Sequence, residues 1–280
     1  MQQKFIKKRR IICTLIMAFL MGLAVGPMPV FAAKRPKISA KSAIVMDMDT
    51  GRILYGKKRY DKRNQASITK LMTVTLAAET NSPMSTFRIN ETVSKVKFSR
   101  FPMRVGDTWT VQDLSYGAML PSSNGCATAL AIKTSGSQKA FLRKMNRKAK
   151  ALGCRKTHYS NPHGLPSGNH YTCAYDTALI LRYAYNNETV RKYMGTRRWT
   201  AVTLKKHSRI RMKNTNKLLG QYSGVLGGKT GTTSLAGNCI ATVYQYRNHH
   251  YAVVVLGSSS GKKRLSDSRK LYRYIRKLVK

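Results

Sequence analysis

Apolar and polar positions along the 280-residue chain change period several times, and each change marks an element. Ser42–Met48 runs toward an extended apolar segment, Asp49-Thr50-Gly51 interrupts it, and Arg52–Tyr55 resumes it, which predicts a β-hairpin. From Ser67 to Glu79, Leu71, Val74 and Ala78 recur at helical spacing. Residues 81–108 hold Pro83, Pro102 and Gly106 among polar groups and read as irregular. Thr110 with Asp113 matches a capping box opening a helix that carries Leu114, Met119 and Leu120 and ends at Pro121. Cys126–Lys133 predicts a further helix stopped by Gly136. Ser137 caps the next, whose Phe141, Leu142, Met145, Ala149 and Leu152 share a face before Gly153 closes it. Asn161-Pro162-His163-Gly164 is a turn-rich loop, and Thr172–Tyr185 is helical. Cys239–Tyr246 and Tyr251–Leu256 are apolar strands joined through Arg247–His250, and Ser266–Val279 is a basic helix with Leu271, Ile275 and Leu278 inward.

Strands at both ends with helices between them predict an α+β domain. One antiparallel sheet would be built from both ends, flanked by helices, with a helical subdomain inserted. The N-terminus changes the count of residues available. Lys4, Lys7, Lys8, Arg9 and Arg10 precede the apolar run Ile11–Val25, and Val30-Phe31-Ala32-Ala33 closes it with small residues. That order predicts a signal peptide over residues 1–33, cleaved after Ala32 or Ala33, with a retained anchor as the alternative. Residues 34–280 then form the mature domain. It has no second apolar run approaching the roughly 20 residues needed to cross a bilayer. The expected location is the periplasm or extracytoplasmic cell-wall space.

Charge narrows the partners. Lys and Arg number 52 against 10 Asp and Glu, a formal net charge of +42. Such an excess attracts polyanions. Export argues against nucleic acid and for anionic envelope polymers such as cell-wall carboxylates, teichoic acids or lipopolysaccharide. Clusters such as Lys57-Lys58-Arg59 and Lys262-Lys263-Arg264 read as solvated basic surface. Cys126, Cys154, Cys173 and Cys239 lack zinc-site spacing. One or two disulfides are open to them, Cys154 with Cys173 first because they flank one loop segment; four buried thiols are the equal alternative. The six histidines form no H-E-x-x-H pair, and no serine sits in G-x-S-x-G, so neither a zinc peptidase nor a Ser-His-Asp triad is indicated. No metal or cofactor is expected.

Three short motifs carry the chemistry: Ser67-Ile68-Thr69-Lys70, Ser122-Ser123-Asn124 and Lys229-Thr230-Gly231. Each alone is weak, and S-x-x-K in so basic a chain is usually a solvated surface helix. The three in this order belong together in penicillin-binding proteins and class A β-lactamases. Positions i and i+3 share a helix face, so Ser67 and Lys70 stand side by side. A serine hydroxyl needs a neighbour to take its proton. A lysine can do so only when burial or nearby cations lower its pKa, and Lys229 with a dry pocket could supply both effects. Ser122 could relay a proton from Lys70 to a leaving amine, and Asn124 could hold the substrate backbone and fix Lys70. Lys229 and Thr230, expected on an edge strand, would clamp a substrate carboxylate, and Gly231 would let the substrate lie close.

The chain resembles the low-molecular-mass penicillin-binding proteins of the D-alanyl-D-alanine carboxypeptidase and endopeptidase family, from about Ser42 to the last helix. Gln65–Thr73, Asn161–Leu165, Asn214-Thr215-Asn216 and the residues around Gly228–Gly237 carry the resemblance besides the three motifs. It implies a β-lactamase/transpeptidase-like fold and an oxyanion hole made by the backbone N–H groups of Ser67 and Thr232. It also implies peptidoglycan stem peptides as substrate and β-lactams as covalent inhibitors. The family's Ser-Gly-Asn followed by Asp-Ala is altered here, with Ser123 in place of the glycine and Gly125-Cys126 in place of the following pair. Removal of the terminal D-alanine is the expected reaction. Cross-link endopeptidase activity is the near alternative, since no β-rich C-terminal domain is expected and the Ala140–Gly153 helix looks like that of endopeptidases. A non-catalytic wall-binding protein is the distant alternative, and a β-lactamase lacks its Glu-x-x-x-Asn loop in the 150–190 region.

Overall fold

A computed structural model describes residues 33–204 and 209–279. The expected signal peptide therefore lies outside the described residues except at its last position. Arg35–Lys280 forms one compact unit.

The first hairpin forms as expected, from β1 (Ser42–Asp47) and β2 (Ile53–Lys57), paired antiparallel. Asp47 makes its turn: the carboxylate accepts from the backbone N–H groups of Asp49 at 3.0 Å and Thr50 at 2.9 Å. A 3-10 turn (Ala66–Thr69) leads into α1 (Lys70–Thr80). The region expected to be irregular contains β3 (Thr86–Arg88) and α2 (Glu91–Ser94), and β3 pairs with β4 (Thr108–Thr110). Elements of three or four residues are too short to show a period, so the sequence pattern does not reveal them.

Helices α3 (Val111–Met119), α4 (Asn124–Ser135) and α5 (Gln138–Ala151) follow, close to their expected bounds. Thr110 caps α3, accepting from Asp113 N–H at 3.0 Å and donating to its carboxylate at 2.9 Å. Gly136, at φ 74°, takes the left-handed position that ends α4. Helix α6 (Ala174–Asn186) starts two residues later than expected, because Thr172 is held in a bridge to Arg63. Helix α7 (Glu188–Gly195) and the ribbon of β5 (Arg198–Val202) and β6 (Arg209–Lys213) gave no readable signal. Last come β7 (Val225–Thr233), β8 (Gly237–Tyr246), β9 (His249–Ser258) and α8 (Gly261–Leu278). Arg247 and Asn248, at φ 48° and 60°, make the two-residue turn between β8 and β9.

The main sheet runs β2-β1-β9-β8-β7, all neighbours antiparallel, with strands from both chain ends. The fold class is α+β, as the order of elements predicts. Every residue of β1 is buried, since α8 packs on one face of the sheet and α6 on the other. Helix α1 is the axis of the helical layer and packs against α3, α4, α5, α6 and α7. Among the described residues no helix is long and apolar enough to cross a membrane.

Asp47, Asp176 and Asp267 clasp the backbone. Asp267 on α8 is buried and accepts from Ser39 N, Ser39 Oγ and Ala40 N at 2.8–3.0 Å, fastening the start of the domain to its last helix. The Cys154–Cys173 disulfide does not form; all four cysteines of the domain are free and buried. Cys173 Sγ instead accepts from Asp176 N–H at 3.4 Å as the cap of α6, and Cys154 Sγ donates to Asp176 O at 3.7 Å. Thr110→Ala should destabilise the domain by about 1 kcal/mol, the worth of one N-cap, read as a lower urea midpoint at unchanged m-value.

Candidate active site

The site forms where the 3-10 turn, the α3–α4 junction, the loop after α5 and edge strand β7 meet. The turn is held in an unusual shape. Ala66 takes φ 49°, a left-handed value that costs a residue with a Cβ about 1 kcal/mol or more. Its carbonyl accepts from Thr69 Oγ1 at 2.8 Å. Thr69 Oγ1 in turn lies 2.8 Å from His170 Nε2. Because Ser160 N–H donates to His170 Nδ1, at 3.2 Å, the His170 proton sits on Nε2 and points at Thr69. Burial keeps this ring neutral, its pKa lowered to about 4. Gly164, at φ 92°, packs beneath: a Cβ there would stand 1.9 Å from Ala66 O.

Ser67 therefore sits on a 3-10 turn, one turn ahead of the α-helix expected to carry it, and Lys70 opens α1. The i, i+3 pairing survives, because a 3-10 turn also brings i and i+3 together. Lys70 Nζ lies 2.9 Å from Ser67 Oγ, 2.8 Å from Asn124 Oδ1 and 2.7 Å from His163 O. Asn124 Nδ2 donates to Lys97 O at 3.1 Å, which fixes the amide with its oxygen toward Lys70. Lys70 is fully buried, and its pKa is held well below the usual lysine value, first by desolvation and then by the charge of Lys229.

Ser122, at φ 67°, ends the segment after α3. Its Oγ is buried with no hydrogen-bond partner among the described residues, and the residue lines the same cavity as Ser67. Ser123, the residue standing in place of the expected glycine, caps α4: its Oγ accepts from Cys126 N–H at 3.2 Å. Ser99 ties the preceding loop to it, with Oγ 2.9 Å from Ser123 Oγ and accepting from Gly125 N–H at 2.7 Å. Cys126 fills the space behind, against Gly117.

Strand β7 is the sheet edge, and it carries Lys229, Thr230, Gly231 and Thr232. Lys229 Nζ is buried and donates to Thr230 O at 3.1 Å; desolvation, then Arg264 and Arg100, lower its pKa to about 7. Thr230 Oγ1 pairs with Thr215 Oγ1 at 2.7 Å. Gly231 lies so close to the turn that a Cβ would stand 2.8 Å from Ser67 N. This closeness puts the backbone of Ser67 and the start of Thr232 on one cavity wall.

That cavity has a volume of about 560 Å³ and is lined by Ser67, Ser122, Asn124, Thr230, Gly231 and Thr232, among others. Lys70 and Lys229 lie behind this lining. The three motifs thus converge on one cleft: a hydroxyl beside a buried amine, with Lys229 on the opposite strand and Arg264 on the last helix. Sequence reasoning missed the His163 carbonyl and Gly164, which act through the backbone. It also missed Arg264, read as solvated surface; the side chain is partly buried, and its Nη1 lies 3.3–3.5 Å from Gly231 O, Thr232 Oγ1 and Cys239 O.

Residues 29–260 match the family described as D-alanyl-D-alanine carboxypeptidase. The chain belongs to this family. A D-alanyl-D-alanine carboxypeptidase from Streptomyces is 35% identical over 92% of the chain and 94% of its own length. DacF, the D-alanyl-D-alanine carboxypeptidase of Bacillus subtilis, is 34% identical over 83% of the chain, which spans only 61% of that relative. A D-alanyl-D-alanine endopeptidase from Pseudomonas aeruginosa is 30% identical over 94% of the chain and 86% of its own. The crystal structure of a Streptomyces DD-transpeptidase superposes with a TM-score of 0.80 at 32% identity, over 86% of this chain and 98% of that one. The fold shared with this family places the helical layer and edge strand β7 on either side of the cleft.

Gly164→Ala should destabilise the domain by about 2 kcal/mol, because the added Cβ meets Ala66 O in a left-handed backbone. A urea midpoint equal to that of the wild type would show that the loop does not support the turn.

Proposed function

We propose that the chain is a serine-type D-alanyl-D-alanine carboxypeptidase that removes the terminal D-alanine from peptidoglycan stem peptides through an acyl-enzyme. The observation that carries the reading is the set of contacts around Lys70. A neutral amine has two hydrogens and one lone pair. Asn124 Oδ1 and His163 O are acceptors only and take the two hydrogens. The lone pair is left for the third neighbour, Ser67 Oγ, at 2.9 Å. In this protonation state Lys70 is a base aimed at the serine proton.

Ser67 Oγ attacks the carbonyl carbon of the penultimate D-alanine as its proton passes to Lys70. The backbone N–H groups of Ser67 and Thr232 receive the developing oxyanion, donors of a kind worth roughly 3–4 kcal/mol each in the barrier. The C–N bond breaks, and the proton held by Lys70 passes through Ser122, whose hydroxyl has no other partner among the described residues, to the leaving amine, which leaves Lys70 neutral again. Water then hydrolyses the ester. Lys229, Thr230 and Arg264 hold the terminal carboxylate by charge-assisted hydrogen bonds. β-Lactams present the same carbonyl and carboxylate and acylate the same hydroxyl. Export to the periplasm or cell-wall space follows from the substrate and from the leader pattern, and the cationic surface suits anionic envelope polymers. The endopeptidase relative, aligned over most of both chains, supports cross-link cleavage as the second reading. Digestion of purified monomeric and cross-linked muropeptides separates the two.

Labelled penicillin should acylate the wild type, and Ser67→Ala should take no label and release D-alanine roughly 10⁴-fold more slowly or worse. Full labelling of the variant would falsify the assignment of the nucleophile.

The pH dependence of kcat/KM should be bell-shaped. Lys70 acts unprotonated, so activity falls as acid protonates it below its lowered pKa. Lys229 acts charged, so activity falls as pH rises through about 7, its value in the free enzyme. A profile rising steadily from pH 6 to 10 would remove Lys229 from carboxylate binding.

A further inference from the structure

The ribbon of β5 and β6 has two unlike faces. Its register sets Arg198 opposite Lys213, Thr200 opposite Arg211 and Val202 opposite Arg209. Residues directly opposite in an antiparallel pair point to the same side, and alternate positions along a strand share it. The other side carries Trp199 opposite Met212 and Ala201 opposite Ile210. That side is fastened inward. The Trp199 ring stacks on Tyr116 with centroids 4.0 Å apart, its Nε1 donates to Asp113 Oδ1 at 2.7 Å, and Ala201 and Met212 are buried. Arg198, Arg209, Arg211 and Lys213 are all exposed on the outward side.

Four cations share this small face, and nothing in the chain neutralises them. No Asp or Glu occurs in the sequence between Glu188 and Asp267. Among the described residues none of the four forms an ion pair. Charge on an exposed ribbon blocks edge-to-edge pairing, but mixed signs would do that and also attract each other across the strands. Arg198 and Lys213 instead stand directly opposite, about 5 Å apart at Cα, where like charges weaken the pairing. Along β6 the Cα positions of Arg209, Arg211 and Lys213 recur about every 7 Å. An anion with regularly repeated charges relieves this repulsion all along the face. The ribbon also runs into the cleft. Asn214 follows β6, its N–H donating to Arg197 O at 2.9 Å, and Thr215, next in the chain, lines the cavity.

Resting on export of the protein, we propose that the outward face of the β5–β6 ribbon docks a polyol phosphate polymer, the chemistry of a teichoic acid, through Arg198, Arg209, Arg211 and Lys213. Guanidinium groups bind phosphate oxygens in bidentate pairs, and three of the four cations are arginines. A single-stranded nucleic acid offers phosphodiesters too, but its bases call for aromatic faces to stack on. The one aromatic residue of the ribbon, Trp199, is turned inward onto Tyr116. Docking uses no residue of the cleft.

The test measures binding of a labelled poly(glycerol phosphate) chain to the purified protein by fluorescence anisotropy. It is run at about 0.15 M salt, where exposed charges more than about 8 Å away are largely screened. The wild type should bind, and more weakly as salt is raised. Arg198→Gln, Arg209→Gln, Arg211→Gln and Lys213→Gln together should weaken binding about tenfold or more, with a thermal midpoint at or above that of the wild type. Lys213→Glu alone sets an acid opposite Arg198, so it should keep the fold and lower the affinity. A comparison variant removes four charges from the exposed side of α5, at Lys139, Arg143, Arg147 and Lys150, and should bind within about twofold of the wild type. Equal weakening by the two fourfold variants would overturn the ribbon as the site and leave only diffuse attraction by net charge. A folded Lys213→Glu that binds as tightly as the wild type, or a wild type that does not bind, would overturn it as well. Tighter binding of a single-stranded oligonucleotide with the same number of phosphates would overturn the choice of polymer. Because no turnover is read, each result stands whether or not the chain releases D-alanine.

Discussion

Two buried lysines facing one cleft set the terms for the rest of the site. Lys70 and Lys229 are both fully buried, and each would gain little from charge in a region without carboxylates. Desolvation penalises the charged form of either, and repulsion makes the second charge harder to place than the first. The outcome is asymmetric. Lys70, deeper and enclosed by Asn124, His163 and Ser67, is driven furthest toward the neutral amine, while Lys229 stays near the balance point at about 7. Two residues of one type thereby differ in protonation, a separation produced by environment alone.

Such a site needs a rigid frame, since an amine lone pair is directional. The frame is built from backbone held in costly conformations and then locked. Ala66 and Ser122 are both left-handed, flanking or forming the functional turn segments. The buried chain from His170 through Thr69 to Ala66 O secures the first, and Gly164 fits only because it has no side chain. The Ser123–Ser99 contact ties the α3–α4 junction to the loop across from it. Here the departure from the family's glycine gains a reason: a hydroxyl at position 123 caps α4 and joins two walls of the cleft. Strain concentrated where geometry matters, and paid for by packing around it, is a common feature of active sites.

Acid scarcity shapes the fold in the same spirit. With 10 acids among 280 residues, ion pairs cannot organise the surface. Asp47, Asp176 and Asp267 accept from backbone N–H groups at a turn, a loop and the start of the domain, and Asp113 accepts from the Thr110 hydroxyl at a cap. Asp113 also accepts from Trp199 Nε1 at 2.7 Å, which fastens the β5–β6 ribbon to the helical layer. Outside the cleft, Arg63, Lys95, Lys148 and Arg191 pair with acids, and Arg276 donates to Tyr244 Oη at 2.6 Å.

The long elements were legible because their periods are long enough to see: the β1–β2 and β8–β9 hairpins, helices α3 to α6 and the final helix all follow from apolar spacing and caps. The three motifs, and therefore Ser67, Lys70, Ser122, Asn124, Lys229, Thr230, Gly231 and Thr232 as site candidates, were legible because their residue types and order are unusual together. The 81–108 region and the β5–β6 ribbon were not, since three-residue strands and half-exposed ones carry little pattern. Arg264 was hidden by its neighbours Lys262 and Lys263. The sequence alone determined which residue types exist to do the chemistry and where the long, periodic helices and hairpins form. Only the tertiary structure decided that Lys70 is dry, that Ser67 rides a 3-10 turn and that one arginine of a basic cluster faces the cleft, because burial, charge proximity and backbone strain are properties of space and not of order along the chain.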